Sequence, residues 1–220
     1  MTGSESISPK AEPRVLAGWL AVVAVVGWVF CSVLSRSLGI WSAVGGGGIA
    51  LGVLVLSAGW PVLLSQLRPT RFTVVVGLLA GALMTAATYL IYPAASHLVP
   101  AVVTQTAALY TTFGQASSGP ASLLLLAVVL AEDLVWRGAV QTALTDRLGP
   151  AGGVLATTCL YGAAVLPVGS PLLVAIALGC GLYWSVLRAW TGSLVPVLVC
   201  HLLWDLVVFV WVPLDKAGGR

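Results

Sequence analysis

Charge is scarce in this chain of 220 residues: ten Lys and Arg and seven Asp and Glu make up 8% of it, while 59% is hydrophobic. An ordinary soluble domain carries about 25% charged and about 45–50% apolar residues, so a soluble globular protein is excluded. Histidine is nearly absent, with only His97 and His201. The four cysteines, Cys31, Cys159, Cys180 and Cys200, all lie in apolar runs. Their spacing suggests neither a disulfide framework nor a thiolate metal site, and they read as packing residues. No small-residue cleavage signature follows the first apolar run, residues 15–34. That run is also longer than the core of a cleaved signal peptide, so it reads as a retained span. No repeat of fixed period occurs.

Long uncharged stretches are what the chain has instead. They cover 21 residues between Arg14 and Arg36, 31 between Arg36 and Arg68, 60 between Arg71 and Glu132, and 40 between Arg147 and Arg188. A membrane-crossing helix needs about 20 apolar residues, so these gaps and the tail after Gly192 predict about seven spans. Their expected bounds are 15–34, 40–64, 72–92, 121–138, 152–168, 172–187 and 192–211. The fold class is all-α, a polytopic transmembrane helix bundle forming one domain over 15–212, with a family-like core over 121–211. A disordered cytoplasmic tail is expected over 1–14 and a short one over 213–220. The uncharged segment 93–120 reads either as an outer loop or as a re-entrant piece. The sequence AVQTALTDRLGP predicts a short helix along the inner surface, stopped by Gly149 and Pro150.

Basic residues set the orientation. With the N-terminus cytoplasmic, Lys10, Arg14, Arg68, Arg71, Arg147 and Arg188 fall inside and Arg36, Lys216 and Arg220 outside, as the positive-inside rule prefers. The chain is expected in the cytoplasmic or plasma membrane, with the bilayer and not nucleic acid as its surroundings. Gly48 and Gly52, and Gly77 and Gly81, stand four apart in apolar helices, a spacing that lets helices approach closely. Trp41, Trp60, Trp190 and Trp211 read as headgroup-level anchors.

Few charges break the apolar pattern. Glu132, Asp133 and Arg137 end the fourth span, and His201 and Asp205 interrupt the last. A charge at mid-membrane costs about 2.5–3.5 kcal/mol or more, so such groups face a cavity or one another. Asp133 and Arg137 are four apart and share a helix face, as do His201 and Asp205. Glu132 is turned about 100° from Asp133 on an α-helix and has no local cation. His201 lies about 13–14 Å along its helix from Gly192, at a depth similar to the first cluster, which permits contact between the two.

The order Glu132-Asp133-x-x-x-Arg137, then GLYWSVLRAWTGSLVPVLVCHLLWD, resembles the CAAX-type prenyl endopeptidase and bacteriocin-processing (CPBP, or Abi) family over about residues 123–208. That family carries a Glu-Glu-x-x-x-Arg motif, a Phe-x-x-x-His motif and a His-x-x-x-Asn or Asp motif. Here Asp133 replaces the second Glu, Tyr161 replaces the Phe, and Val165 stands where the second-motif His belongs. The resemblance implies an intramembrane endopeptidase with Glu132 activating a water and His201 with Asp205 on the oxyanion side. Asp133 and Arg137 would support them, in a cavity open to the cytoplasmic side. A hydrophobic or prenylated peptide is the implied substrate. A divalent metal such as zinc would find candidate ligands in Glu132, His201 and Asp205, although a tight zinc site usually wants more than one His or Cys. The alternative is a family member without proteolysis, acting as a membrane binding, immunity or scaffold protein toward a membrane partner. Loss of a general acid or base costs about 10²–10⁴ in rate, and the Val165 departure bears directly on that choice. His97, on the predicted outer side, reads as an interfacial histidine.

Overall fold

A computed structural model of the chain describes residues 11–113 and 118–214. The expected tails over 1–14 and 213–220 fall mostly outside these residues. The described residues are helical throughout apart from short connections, and none forms a strand. The helices are α1 (Ala11–Leu38), α2 (Gly47–Gln66), α3 (Arg71–Leu98), α4 (Ala101–Phe113), α5 (Ser118–Asp133), α6 (Gln141–Val165), α7 (Pro171–Thr191) and α8 (Val195–Asp205). Wider π-helical turns precede α2 (Trp41–Gly46), follow α5 (Leu134–Val140) and follow α8 (Leu206–Trp211).

Local chemistry sets the boundaries. Thr70 and Thr73 exchange backbone and side-chain hydrogen bonds in a capping box that opens α3. Ser170 accepts from the Leu173 N–H and Pro171 takes the first position of α7. Gly192 closes α7 at φ 66°, a left-handed conformation open to glycine. Gly149, at φ 74° and ψ 173°, breaks α6 into a short arm and a long one, as the Gly149-Pro150 pair predicts. Over its described part segment 93–120 is helical: α3 continues through Pro93 to Leu98, and α4 follows.

Four helices are long and apolar enough to cross a membrane: Gly18–Leu38, Trp41–Gly59, Arg71–Leu98 and Pro171–Thr191. Val195–Trp211 forms a shorter apolar helix. Large apolar side chains such as Trp19, Phe30, Leu79, Leu83 and Leu90 point outward, a surface suited to lipid rather than water. The chain is thus an all-helical integral membrane protein.

Successive long helices run in opposite directions, so their connections gather at two ends. At one, which we call the basic end, the α7–α8 turn docks on the end of α2: Leu194 N–H and Ser193 Oγ–H both donate to Gln66 O at 3.0 Å. Arg147, on the short arm of α6, reaches Gly18 of α1 at this end. At the far end, the Arg36 side chain donates to Pro167 O, and Tyr89 O–H to Val212 O. There the Leu172 N–H donates to Gln105 Oε1 at 2.8 Å, bringing α4 onto the start of α7.

The most extensive packing is α3 on α8 and α6 on α7. The small-residue spacings account for two close approaches. A Cβ at Gly77 would come within 2.7 Å of Val199 Cβ, and one at Gly81 within 3.1 Å of Cys200 O. A Cβ at Gly52 would stand 2.7 Å from the Ala131 backbone, seating α2 on α5. Trp190 and Trp211 are exposed, as anchors should be, whereas Trp41 faces inward.

Candidate active site

The five polar residues singled out in the sequence meet at mid-bundle. Asp133 is the hub, fully buried. Its Oδ1 accepts from Arg137 Nη1 at 3.2 Å, and its Oδ2 lies 3.1 Å from His201 Nδ1. One carboxylate thereby ties α5 to its own continuation and to α8, residues 68 apart in the chain. The two expected same-face pairs are both present, since His201 Nε2 also stands 3.6 Å from Asp205 Oδ2.

Glu132 differs from expectation. Arg137 Nη1 approaches its Oε1 to 3.9 Å, so a cation is nearby after all. The reason is the helix type: residues 134–140 are π-helical, and a π-turn brings positions five apart onto one face. The same turn buries Trp136 and Arg137 completely. The Arg137 guanidinium lies 4.8 Å from the Tyr161 ring centre and 5.0 Å from that of Trp184, sandwiching the charge between aromatic faces.

Two residues of this site carry no charge and escaped the sequence reading. Tyr161 attracts notice there only as a replaced Phe; its hydroxyl donates a hydrogen bond to Glu132 Oε1. Its ring packs edge-on to Trp136 at 5.2 Å. Trp184 stacks on the His201 imidazole with ring centres 3.6 Å apart. With Asp133 on Nδ1 and Trp184 on its face, the imidazole is held in one orientation. A tyrosine four residues before an expected histidine was the available signal for the first, and nothing in the sequence flagged the second.

A cavity of about 580 Å³ adjoins the cluster, and Glu132, Tyr161, Trp184, His201 and Asp205 all line it. Its other walls are mostly apolar, among them Trp28, Leu125, Ile176 and Phe209. Val165 lines it too, one turn beyond Tyr161 and largely buried. An imidazole at 165 would therefore enter the cavity from the wall that carries Tyr161. His97 is exposed and does not line this cavity.

Among the described residues, no three His, Cys, Asp or Glu side chains converge as ligands for a metal ion. Glu132, His201 and Asp205 share a wall, but the imidazole nitrogens already face Asp133 and Asp205.

The cavity has a closed floor and a distant rim. Toward the basic end its lining stops at Glu132, Tyr161, Trp184 and His201, and the residues behind them, Asp133, Trp136, Arg137, Leu194 and Val197, are inaccessible to solvent. From Glu132 it runs the other way, to Ile40, Thr111, Val168 and Pro213 at the far end. The cavity thus lies between the polar cluster and the end opposite the start of α1.

No curated protein and no solved structure matches the chain significantly. A family model does, the type II CAAX prenyl endopeptidase Rce1-like model, over residues 116–207. That segment holds every member of the polar cluster, from Glu132 to Asp205. Over its site-bearing helices, then, the chain is similar to the Rce1-like family of type II CAAX prenyl endopeptidases, in keeping with the motifs read from its sequence.

Proposed function

We propose that the chain is an intramembrane endopeptidase of the CAAX type, hydrolysing a peptide bond in the cavity beside Glu132. The observation that carries this reading is a carboxylate held on a cavity wall by a tyrosine hydroxyl, with a fixed imidazole lining the same cavity. Glu132 takes a proton from a water as that water adds to the scissile carbonyl, and returns it to the amine as the C–N bond breaks. With Nδ1–H donating to Asp133, His201 carries a second N–H on Nε2 only as the imidazolium; in that form Nε2–H, 3.6 Å from Asp205 and beyond a good hydrogen bond to it, donates to the developing oxyanion. Arg137 neutralises Asp133 and adds positive potential behind Glu132. The substrate in this reading is a hydrophobic or prenylated peptide, because the cavity walls are mostly apolar. Seven spans with a cytoplasmic N-terminus complete the proposal, the last four being α5 with its π-helical continuation, the long arm of α6, α7, and α8 with its π-helical continuation.

The test uses protein purified in detergent against prenylated and hydrophobic peptides. Wild type should cleave, and Glu132→Gln should lose about 10²-fold or more. Equal cleavage by both sinks the reading.

One observation favours a second reading, a non-proteolytic binding, immunity or scaffold protein: the cavity wall is apolar at Val165, where the family's water-holding histidine belongs. Val165→His discriminates. A peptidase site of this geometry should gain activity on receiving the imidazole, whereas a folded Val165→His protein with no gain favours the second reading.

A further inference from the structure

We infer that the cavity is entered from the extracytoplasmic face of the membrane, so that what it takes is an apolar polypeptide segment presented on the outer side. Two independent observations meet here. The first is geometric. Toward the basic end the lining stops at Glu132, Tyr161, Trp184 and His201, and behind them lie the inaccessible side chains of Trp136, Arg137, Leu194 and Val197. The rim lies wholly at the other end: Ile40 in the α1–α2 connection, Thr111 on α4, Val168 before α7, and Pro213 after the last helical turn. Thr111 is exposed and the others are half-buried, so the rim is where chain can enter.

The second observation is electrostatic. Among the residues whose side chains are described, Arg68, Arg71, Arg147 and Arg188 stand at the basic end, and Arg36 is the formal cation at the far end. Arg36 is moreover engaged with Pro167 O. Short loops rich in Lys and Arg stay cytoplasmic, and acidic residues hardly offset them, so Asp146 beside Arg147 does not change the balance. The rim end is therefore the outer one. A segment reaching Glu132 descends about half the thickness of the bundle past Trp41, Tyr110 and Phe209, walls that suit apolar side chains. An exported or membrane-anchored polypeptide on the outer surface meets these requirements, and a cytoplasmic one does not.

The word substrate rests on the peptidase reading, but access does not, and the test separates them. Single variants Thr111→Cys, Val212→Cys and Val165→Cys report the rim, the far end and the cavity, and Asp146→Cys reports the basic end. Each is expressed in a bacterial host and exposed to a small charged, membrane-impermeant thiol reagent in right-side-out spheroplasts and in inverted vesicles. The wild type, with its four cysteines, sets the background. The expected result is modification of the first three in spheroplasts only and of Asp146→Cys in inverted vesicles only. The reverse pattern, modification from both faces, or no modification of the first three from outside overturns the proposal. That result leaves the peptidase reading standing, and failure to cleave peptides leaves the access proposal standing.

Discussion

Glu132, Asp133, Arg137, His201 and Asp205 were legible in the sequence because ionised groups within apolar helices are costly and need partners. Their pairing within one helix was legible for the same reason that helical positions four apart meet. Tyr161 was not, because its role depends on a partner 29 residues away and on a hydroxyl that the composition of a membrane helix does not single out. Its contribution can be isolated. Tyr161→Phe keeps the ring against Trp136 and removes the donor to Glu132. A hydrogen bond to a charged group contributes about 1.5–3 kcal/mol, so kcat should fall roughly ten- to a hundredfold while KM stays near wild type. Steady-state kinetics on one peptide would check the split; a change confined to KM would assign Tyr161 to substrate binding instead.

At the scale of elements, the π-helical turn after α5 gathers Glu132, Asp133 and Arg137 around one guanidinium. Sequence periodicity assumes 3.6 residues per turn, which is why Glu132 looked cationless. The short arm of α6 and its break were readable from Gly149-Pro150, whereas α4 was not, since a stretch of Thr, Gln and Ala without charge fits a helix and a loop equally well. α4 earns its order from distant partners: Tyr110 O–H donates to Val208 O at 2.7 Å, and the Leu214 N–H donates back to the Tyr110 hydroxyl at 3.0 Å. For the π-turn itself the sensitive position is Arg137. Arg137→Met leaves Asp133 buried without its cation, and breaking a buried pair in this way costs about 3–5 kcal/mol. Thermal unfolding in detergent should show a marked loss. Arg137→Lys should recover only part of it, since an ammonium cannot lie flat between the Tyr161 and Trp184 rings.

On the scale of the whole molecule, the bundle class and its membrane character followed from the gaps between charges, while the direction in which the cavity opens needed the arrangement of helix ends. The cavity's apolar walls predict that binding and chemistry separate. A hydrophobic peptide at about a hundred times its Kd should stabilise the protein by about 2.7 kcal/mol, and the rise in Tm should be the same for wild type and Glu132→Gln. A rise lost in the variant would mean that Glu132 contributes to holding the peptide. Asp133 has a consequence for how such a peptide is admitted. Because it joins Arg137 and His201, drawing α8 away from α5 strands a charge in a dry interior, and the two helices must travel as one body. The contacts between α1 and α2 carry no such penalty: Gly48 rests on the Trp28 ring and Gly27 on Leu51, apolar surfaces that can slide. Charge thus holds the reacting groups of α5 and α8 in one register, where apolar packing alone would allow them to drift apart.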